Sequence, residues 1–389
     1  MNYQFYIPTR TLFGAGTLKE LHNQTMPGSK ALLVISNGKS AKESGALYQV
    51  INELSHAGVT HILFDRINAN PTKAVVMEGA AEARKSGCDF VVALGGGSVM
   101  DAAKAIALMA VNDGDYWDYI GSGTGKGKPV ANRPLPMIAI TTTAGTGSET
   151  DAACVITNEE THEKTGFGNP GLFPVLAVVD PEWMVGVPPK YTAYQGFDAL
   201  FHATECYISA KANCMGDMYA LTAIEHVGKY LARAVADGHD MEAREGMAFA
   251  NTLSGAVMTI SGCTAEHSLE HAMSAYHEQL PHGAGLLMIA EAYYTYFIEA
   301  HTCDQRFVRM AQALGKADAA QPMDFITALR ELMSACGVLG LKMSDYGIQP
   351  KEFEKMATNA KETMGRLFLN DRKVLTEDDC VTLLRNSYR

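Results

Sequence analysis

No stretch of this 389-residue chain runs to about 18 uninterrupted apolar residues, so none has the length to cross a bilayer as a helix. The opening, Met1-Asn-Tyr-Gln-Phe-Tyr-Ile-Pro-Thr-Arg10, lacks a basic start, an apolar core and a small-residue cleavage site, and the expectation is a cytoplasmic protein. Its eight cysteines form neither a CxxC pair nor a dense framework, which excludes a disulfide scaffold and favours reduced, buried thiols. Basic residues are outnumbered, 32 Lys and Arg against 43 Asp and Glu, for a formal net charge of -11. That balance argues against nucleic acid or an anionic membrane as partner, and no block of like charges suggests an interaction tail. No internal repeat at a fixed period is present.

With 47% hydrophobic and 19% charged residues, a chain this long can bury a substantial core, and two domains are expected. In the first half, short apolar runs at 31–35, 61–64, 90–94, 136–140 and 175–179 read as strands. Helical patterns lie between them: 44–57 places Leu47, Val50, Ile51 and Leu54 at i, i+3, i+4 and i+7, and 72–85 opens on Pro71-Thr72 as a start signal. Such alternation builds a parallel α/β sheet. After Val187-Pro188-Pro189 the β-branched runs give way to Ala, Met, Leu and Glu at helical periods, so the domains are placed at 1–187, α/β, and 188–389, all helical. The 20 methionines read mainly as core filling. The run Gly121-Ser-Gly-Thr-Gly-Lys-Gly-Lys-Pro129 reads as a flexible surface loop.

Two turns look built for a nucleotide. Gly95-Gly96-Gly97-Ser98-Val-Met-Asp101 leads from a strand into an Ala-rich helix, where backbone amides and the helix N-terminus can hold a pyrophosphate. It is neither the GxGxxG fingerprint, since Met100 stands at the last glycine position, nor a P-loop. A second strand ends in Thr141-Thr142-Thr143-Ala-Gly145-Thr146-Gly147-Ser148-Glu149, whose hydroxyls could line the same cleft. The plainer reading of both is turn chemistry without a ligand.

Seven of the twelve histidines lie between 202 and 282. Asp198 and His202 share one helix face at i, i+4, as do His267 and His271, so facing helices could converge nitrogen and carboxylate ligands on one ion. Asp198 and His202 with His267 and His282 form the economical set, leaving His271 and His277 as spare imidazoles able to move a proton. One carboxylate and three imidazoles suit Fe(2+), Zn(2+) or Ni(2+) better than calcium or magnesium. His226 and His239 have no partner at ligand spacing and read as structural or exposed, and a polar helix-packing network is the plainer alternative for the whole cluster.

Gly95 to Asp101, Thr141 to Glu149, Gly196-Phe-Asp198-Ala-Leu-Phe-His202-Ala-Thr-Glu205 and Pro281-His282-Gly283 together resemble the iron-containing (group III) alcohol dehydrogenase family, along nearly the whole chain. The resemblance implies a Rossmann-like nucleotide domain followed by an all-α metal-binding domain, the dehydroquinate synthase-like plan. It also implies NAD or NADP as cofactor and a homo-oligomer, dimer or larger. Carried over by motif, the metal ligands are Asp198, His202, His267 and His282; pyrophosphate contacts fall on Gly96, Gly97 and Ser98. Contacts to the nicotinamide half fall on Asp101, Thr141, Thr142 and Thr146, and a nucleotide contact falls on Lys164.

Two departures stand out. Where NAD-preferring members carry an Asp after the first strand, this chain has Val34-Ile-Ser36-Asn-Gly38-Lys39-Ser40, so Ser36 and Lys39 face the ribose position without a carboxylate, and Lys39 favours NADP. The interval from His267 to His282 is also one residue longer than in close relatives. The implied activity is a metal-dependent, NAD(P)-linked alcohol dehydrogenase or aldehyde reductase acting on a small alcohol or diol by hydride transfer. The alternatives are a lyase or cyclase of the dehydroquinate synthase-like superfamily, which needs a cationic cleft beyond Lys190 and Lys211, and a non-catalytic metal-binding protein.

Overall fold

The computed structural model describes residues 3–389. They divide into two compact units: Ile7–Gly186, and Val187–Arg389 joined by the residues up to Tyr6. The start of the chain therefore belongs with the helical unit, not with the α/β unit to which 1–187 was assigned; Phe5 stacks on Tyr219 with ring centroids 6.4 Å apart.

The α/β unit is organised by a six-stranded sheet, all of whose pairings are parallel. Its strands are β1 (Arg10–Phe13), β2 (Lys30–Ser36), β3 (Thr60–Ile67), β4 (Phe90–Gly95), β5 (Met137–Thr141) and, after a separate antiparallel hairpin of β6 (Ala153–Asn158) and β7 (Glu163–Gly168), β8 (Leu176–Val179). The order across the sheet is β1-β8-β5-β4-β2-β3. A sheet covered on both faces needs apolar residues at successive positions. Accordingly Leu32, Val34, Val91, Ala93 and Ala139 enter one core, while Ala31, Leu33, Val92, Leu94, Ile138 and Ile140 enter the other.

Four helices accompany these strands: α1 (Ser40–Glu43), α2 (Ala46–His56), α3 (Lys73–Ser86) and α4 (Gly97–Met109). Helix α3 starts where Thr72 Oγ1 accepts from Val75 N and stops at Gly87, whose φ of 64° is left-handed. The sequence reading missed β1 and the β6–β7 hairpin, which are short and carry charged or glycine residues. Asp180 ties the turn after β1 to the end of β8, its carboxylate accepting from Gly16 N and Leu18 N, both at 3.1 Å. Nor is the glycine run after residue 120 loose, because the buried Glu163 carboxylate accepts from Thr124 N at 2.7 Å and from the Thr124 hydroxyl.

Helix α4 contains a lysine with no exposed surface. Lys104 Nζ donates to Asp151 Oδ1 at 2.6 Å, Ser148 Oγ at 2.8 Å and Ala153 O at 2.8 Å, linking the helix to the turn after β5 and to β6.

The helical unit contains α5 (Pro189–Ile208), α6 (Cys214–Ala236), α7 (Met241–Ser261), α8 (Ala265–Tyr276), α9 (His282–Glu299), α10 (Asp304–Ala313), α11 (Asp324–Ala335), α12 (Phe353–Phe368) and α13 (Glu377–Ser387). No helix of the described residues is long and apolar enough to cross a membrane.

Removing the cation of a buried pair strands its carboxylate, which costs about 3–5 kcal/mol. Lys104→Ala should therefore lower unfolding free energy by about that amount in urea titration; a loss below about 1 kcal/mol would mean that Asp151 is rescued by protonation or water.

Candidate metal centre and nucleotide turns

Helix α5 carries Asp198 and His202 on one face, buried to 4% and 6% exposure. Helix α8 carries His267 and His271, and His282 is the first residue of α9. Glycine lets these backbones approach. A Cβ on Gly283 would collide with the carbonyl oxygen of Tyr194, one turn before Asp198, and one on Gly285 would lie 2.7 Å from Glu270 Cγ. Pro281-His282-Gly283 thus seats the first turn of α9 on α5.

Three imidazoles then converge on one oxygen. Asp198 Oδ1 lies 3.4 Å from His282 Nε2, 3.5 Å from His267 Nε2 and 3.6 Å from His202 Nδ1. These separations are long for hydrogen bonds. Donors about 2.1 Å from a shared ion in a tetrahedron sit about 3.4 Å apart, so the spacing suits ligands of one metal. Asp198 Oδ1 and His267 Nε2 are buried without a hydrogen-bond partner, which a cation would satisfy. Asp198, His267 and His282 form a close group whose ligand atoms lie within 4.8 Å of one another; His202 stacks on His267 at 4.3 Å and groups with it and Cys263. Burial opposes the charge of Asp198, yet His202 and His282 hold its carboxyl well below the usual carboxylate range.

Carboxylates absent from the sequence reading stand behind the ligands. Glu205 Oε1 meets His267 Nδ1, and Glu270 Oε2 meets His282 Nδ1; both acids are fully buried. Each pairing turns the other ring nitrogen, Nε2, toward Asp198. Burial disfavours the imidazolium of His267, but Glu205 raises its pKa well above the ordinary value, and Glu270 and Asp198 act likewise on His282. Glu205 Oε2 in turn accepts from Thr264 N at 2.7 Å and Thr264 Oγ1 at 2.8 Å.

Tyr293 Oη lies 2.7 Å from Thr264 Oγ1 and 2.6 Å from Asp371 Oδ1. The Tyr293 hydroxyl donates toward both oxygens and so links Thr264 to Asp371. Burial, with the charge of Glu205, pushes the Asp371 carboxyl up to about 8. The available signal for Glu205 and Glu270 was their spacing, three residues beyond His202 and His267 respectively.

The spare histidines separate. His271 remains beside the group, its ring 5.3 Å from that of His282, with Nδ1 2.7 Å from Met364 Sδ at a kink in α12. His277 is not brought to the cluster: it follows the last residue of α8, and its Nε2 lies 3.3 Å from Glu352 Oε2. The turn between α8 and α9 closes where Leu280 N donates to His277 O at 2.8 Å. His226 packs against Tyr230 and Phe249.

In the α/β unit the two turns interlock. A Cβ on Gly96 would lie 2.8 Å from Thr143 Oγ1, and one on Gly97 would collide with Thr146, so only glycine allows the Thr141 to Thr146 turn to close over the start of α4. Thr142 N donates to Gly95 O and Thr141 Oγ1 to Thr143 O. Gly96 precedes α4 without a side-chain cap, leaving the amides of Gly97 and Ser98 for an anion. Ser36 ends β2 and Lys39 precedes α1; on the neighbouring strand β3, Asp65 is taken by Lys42 at 2.7 Å. Lys164 Nζ donates to Asn70 Oδ1 at 3.1 Å, so Asn70, held at a left-handed φ of 54°, joins the set.

Asp101 also has partners within the unit. Its Oδ1 accepts from Ser148 Oγ at 2.7 Å and its Oδ2 from Val155 N at 2.9 Å, and burial pushes its carboxyl up to about 6. Both oxygens serve the internal network around Lys104.

Loss of a carboxylate partner behind a ligating histidine typically weakens metal binding about 10- to 100-fold. Glu205→Gln and Glu270→Gln should each do so in chelator competition, whereas His277→Ala should leave affinity unchanged. Wild-type affinity in both glutamine variants would remove these acids from the site.

The model of the iron-containing alcohol dehydrogenases matches residues 8–181, and that of the family's C-terminal domain matches 192–388. Over 99% of both chains, this protein is 32% identical to a 1,3-propanediol dehydrogenase of Klebsiella pneumoniae. It is also 32% identical to an NAD-dependent methanol dehydrogenase of Bacillus methanolicus, over 98% of this chain and 99% of that one. Among solved structures, an archaeal halo-thermophilic alcohol dehydrogenase from a Red Sea brine pool superposes with a TM-score of 0.94 at 35% identity, covering 100% of this chain and 99% of that one. Its two matched halves, and the Asp198, His267 and His282 group in the second of them, place this chain in the iron-containing alcohol dehydrogenase family.

Proposed function

We propose that this protein is a metal-dependent, nicotinamide-linked dehydrogenase that interconverts a small alcohol or diol with its aldehyde by hydride transfer. The observation that carries the reading is the convergence of three imidazoles on Asp198 Oδ1 at 3.4 to 3.6 Å. Asp198, His202, His267 and His282 would hold the ion, iron(II) by family, with zinc or nickel compatible with the same donors. A bound divalent ion supplies Lewis acidity that lowers the pKa of an alcohol oxygen.

The protein's own groups do the rest. One carboxylate and three neutral imidazoles leave the site net positive once a divalent ion is present, which favours an oxygen that gains negative charge. Glu205 and Glu270 keep Nδ1 of His267 and His282 engaged and their Nε2 atoms aimed inward. The amides of Gly97 and Ser98, at the start of α4, would bind a pyrophosphate, with Gly96, Thr141, Thr142, Thr146 and Lys164 shaping the surrounding turn. His271 would move the proton between substrate and solvent, for which its place beside His282 qualifies it better than that of His277.

Cofactor choice follows from the end of β2. With no carboxylate at Ser36 to Ser40 and Asp65 paired to Lys42, nothing there repels a ribose 2′-phosphate, and Lys39 adds a positive charge. The reading is that NADPH is accepted along with NADH.

Two outcomes test the proposal. His267→Ala should lose bound metal and aldehyde reduction together, while His271→Gln should keep its metal and lose about 100- to 10,000-fold in kcat as a lost general acid; full turnover in metal-free His267→Ala protein would end the reading. Lys39→Ala should raise KM for NADPH and leave that for NADH unchanged. Equal effects on the two cofactors would dissociate Lys39 from the 2′ position.

A further inference from the structure

The α/β unit contains its own group of metal-ligating side chains, separate from every residue discussed so far. Among the described residues, His22, Glu53 and His56 bring one ligand atom each to within 4.8 Å of one another. Glu53 and His56 are three apart on α2 and so share a face, while His22 comes from the last turn of the short 3-10 helix Thr17–Asn23 that packs on α2.

Glu53 is the unusual member. It is 3% exposed and sits between Val50 and Leu54 on the buried face of α2, where an ionised carboxylate is costly unless its lone pairs are met. Oε1 accepts from Gln49 Nε2 at 2.7 Å; Oε2 accepts from His22 N at 3.2 Å and lies 2.6 Å from His22 Nδ1. With Nδ1 donating to the acid, His22 is the tautomer whose Nε2 carries a lone pair, the carboxylate-oriented imidazole common at metal sites. The exposed His56 stands edge-on to it, ring centroids 5.7 Å apart at 78°.

We propose that His22 and His56, with Glu53 orienting the His22 ring, form a second divalent-metal site on the α/β unit. Two imidazoles, one of them oriented by Glu53, select zinc, nickel or copper over magnesium or calcium, and the exposure of His56 leaves water the remaining positions. An ion bound there staples the 3-10 turn, itself held by Asp180, to the last turn of α2. The site lies outside the machinery that holds the catalytic metal, so it stabilises the fold without entering turnover.

The test uses the full-length protein carrying its metal at Asp198, dialysed against micromolar zinc and analysed for total metal per chain. Wild type should hold one equivalent more than His56→Ala, whichever ion occupies Asp198, because exchange there leaves the total unchanged. Zinc should raise Tm in wild type and not in His56→Ala, with kcat the same in both; since His56 is exposed, its removal leaves folding intact. Equal metal totals, or an equal rise in Tm, would overturn the site and reduce the three residues to an ion pair beside a surface histidine.

Discussion

Asp198 sets the terms for the helical unit. A carboxylate this deeply buried cannot stay charged without compensation, and among the described residues no lysine or arginine pairs with it; the compensation comes from three imidazoles around one oxygen. Imidazoles in turn need their outer nitrogens fixed, which brings Glu205 and Glu270 into the core and, behind Glu205, Thr264, Tyr293 and Asp371. Polar residues thus fill what would otherwise be an apolar helix interface. A cation at the centre is the partner that this arrangement fits, and the family to which the chain belongs is defined by iron.

The α/β unit meets a different demand, since an anionic cofactor needs backbone amides close at hand. Its answer is steric. Gly96 and Gly97 admit the threonine turn against the start of α4, and the Lys104 network behind that helix locks the turn to β6. Asp101 belongs to the lock. A motif residue at the edge of a binding turn can thus serve to hold the turn in shape, and its type alone does not distinguish that from touching the ligand.

Much of this was legible from residue order. Parallel strands showed as continuous apolar runs because both faces of the sheet are covered, and the long helices showed by their 3.6-residue period. Strands β1 and β7 escaped because four to six residues with charges or glycines carry no such pattern, and β6 because it is only six residues long. The candidate ligand set was visible because i, i+4 spacing places Asp198 with His202 on one helix face regardless of tertiary context. The buried acids were not, since a glutamate in a helix ordinarily faces water.

By itself, then, the sequence determined the α/β-then-helical plan, the glycine turns and the chemistry of the donors, all of which follow from local periodicity and side-chain type. Tertiary structure decided which histidine stands beside the ligands and which does not. His271 and His277 are equivalent as imidazoles, but the helix ends at one and not at the other, and the turn that follows carries His277 to Glu352. It likewise decided that residues near Phe5 join the helical unit, and that His22 meets Glu53 across 31 residues. Such contacts depend on how elements pack, and no spacing along the chain encodes them.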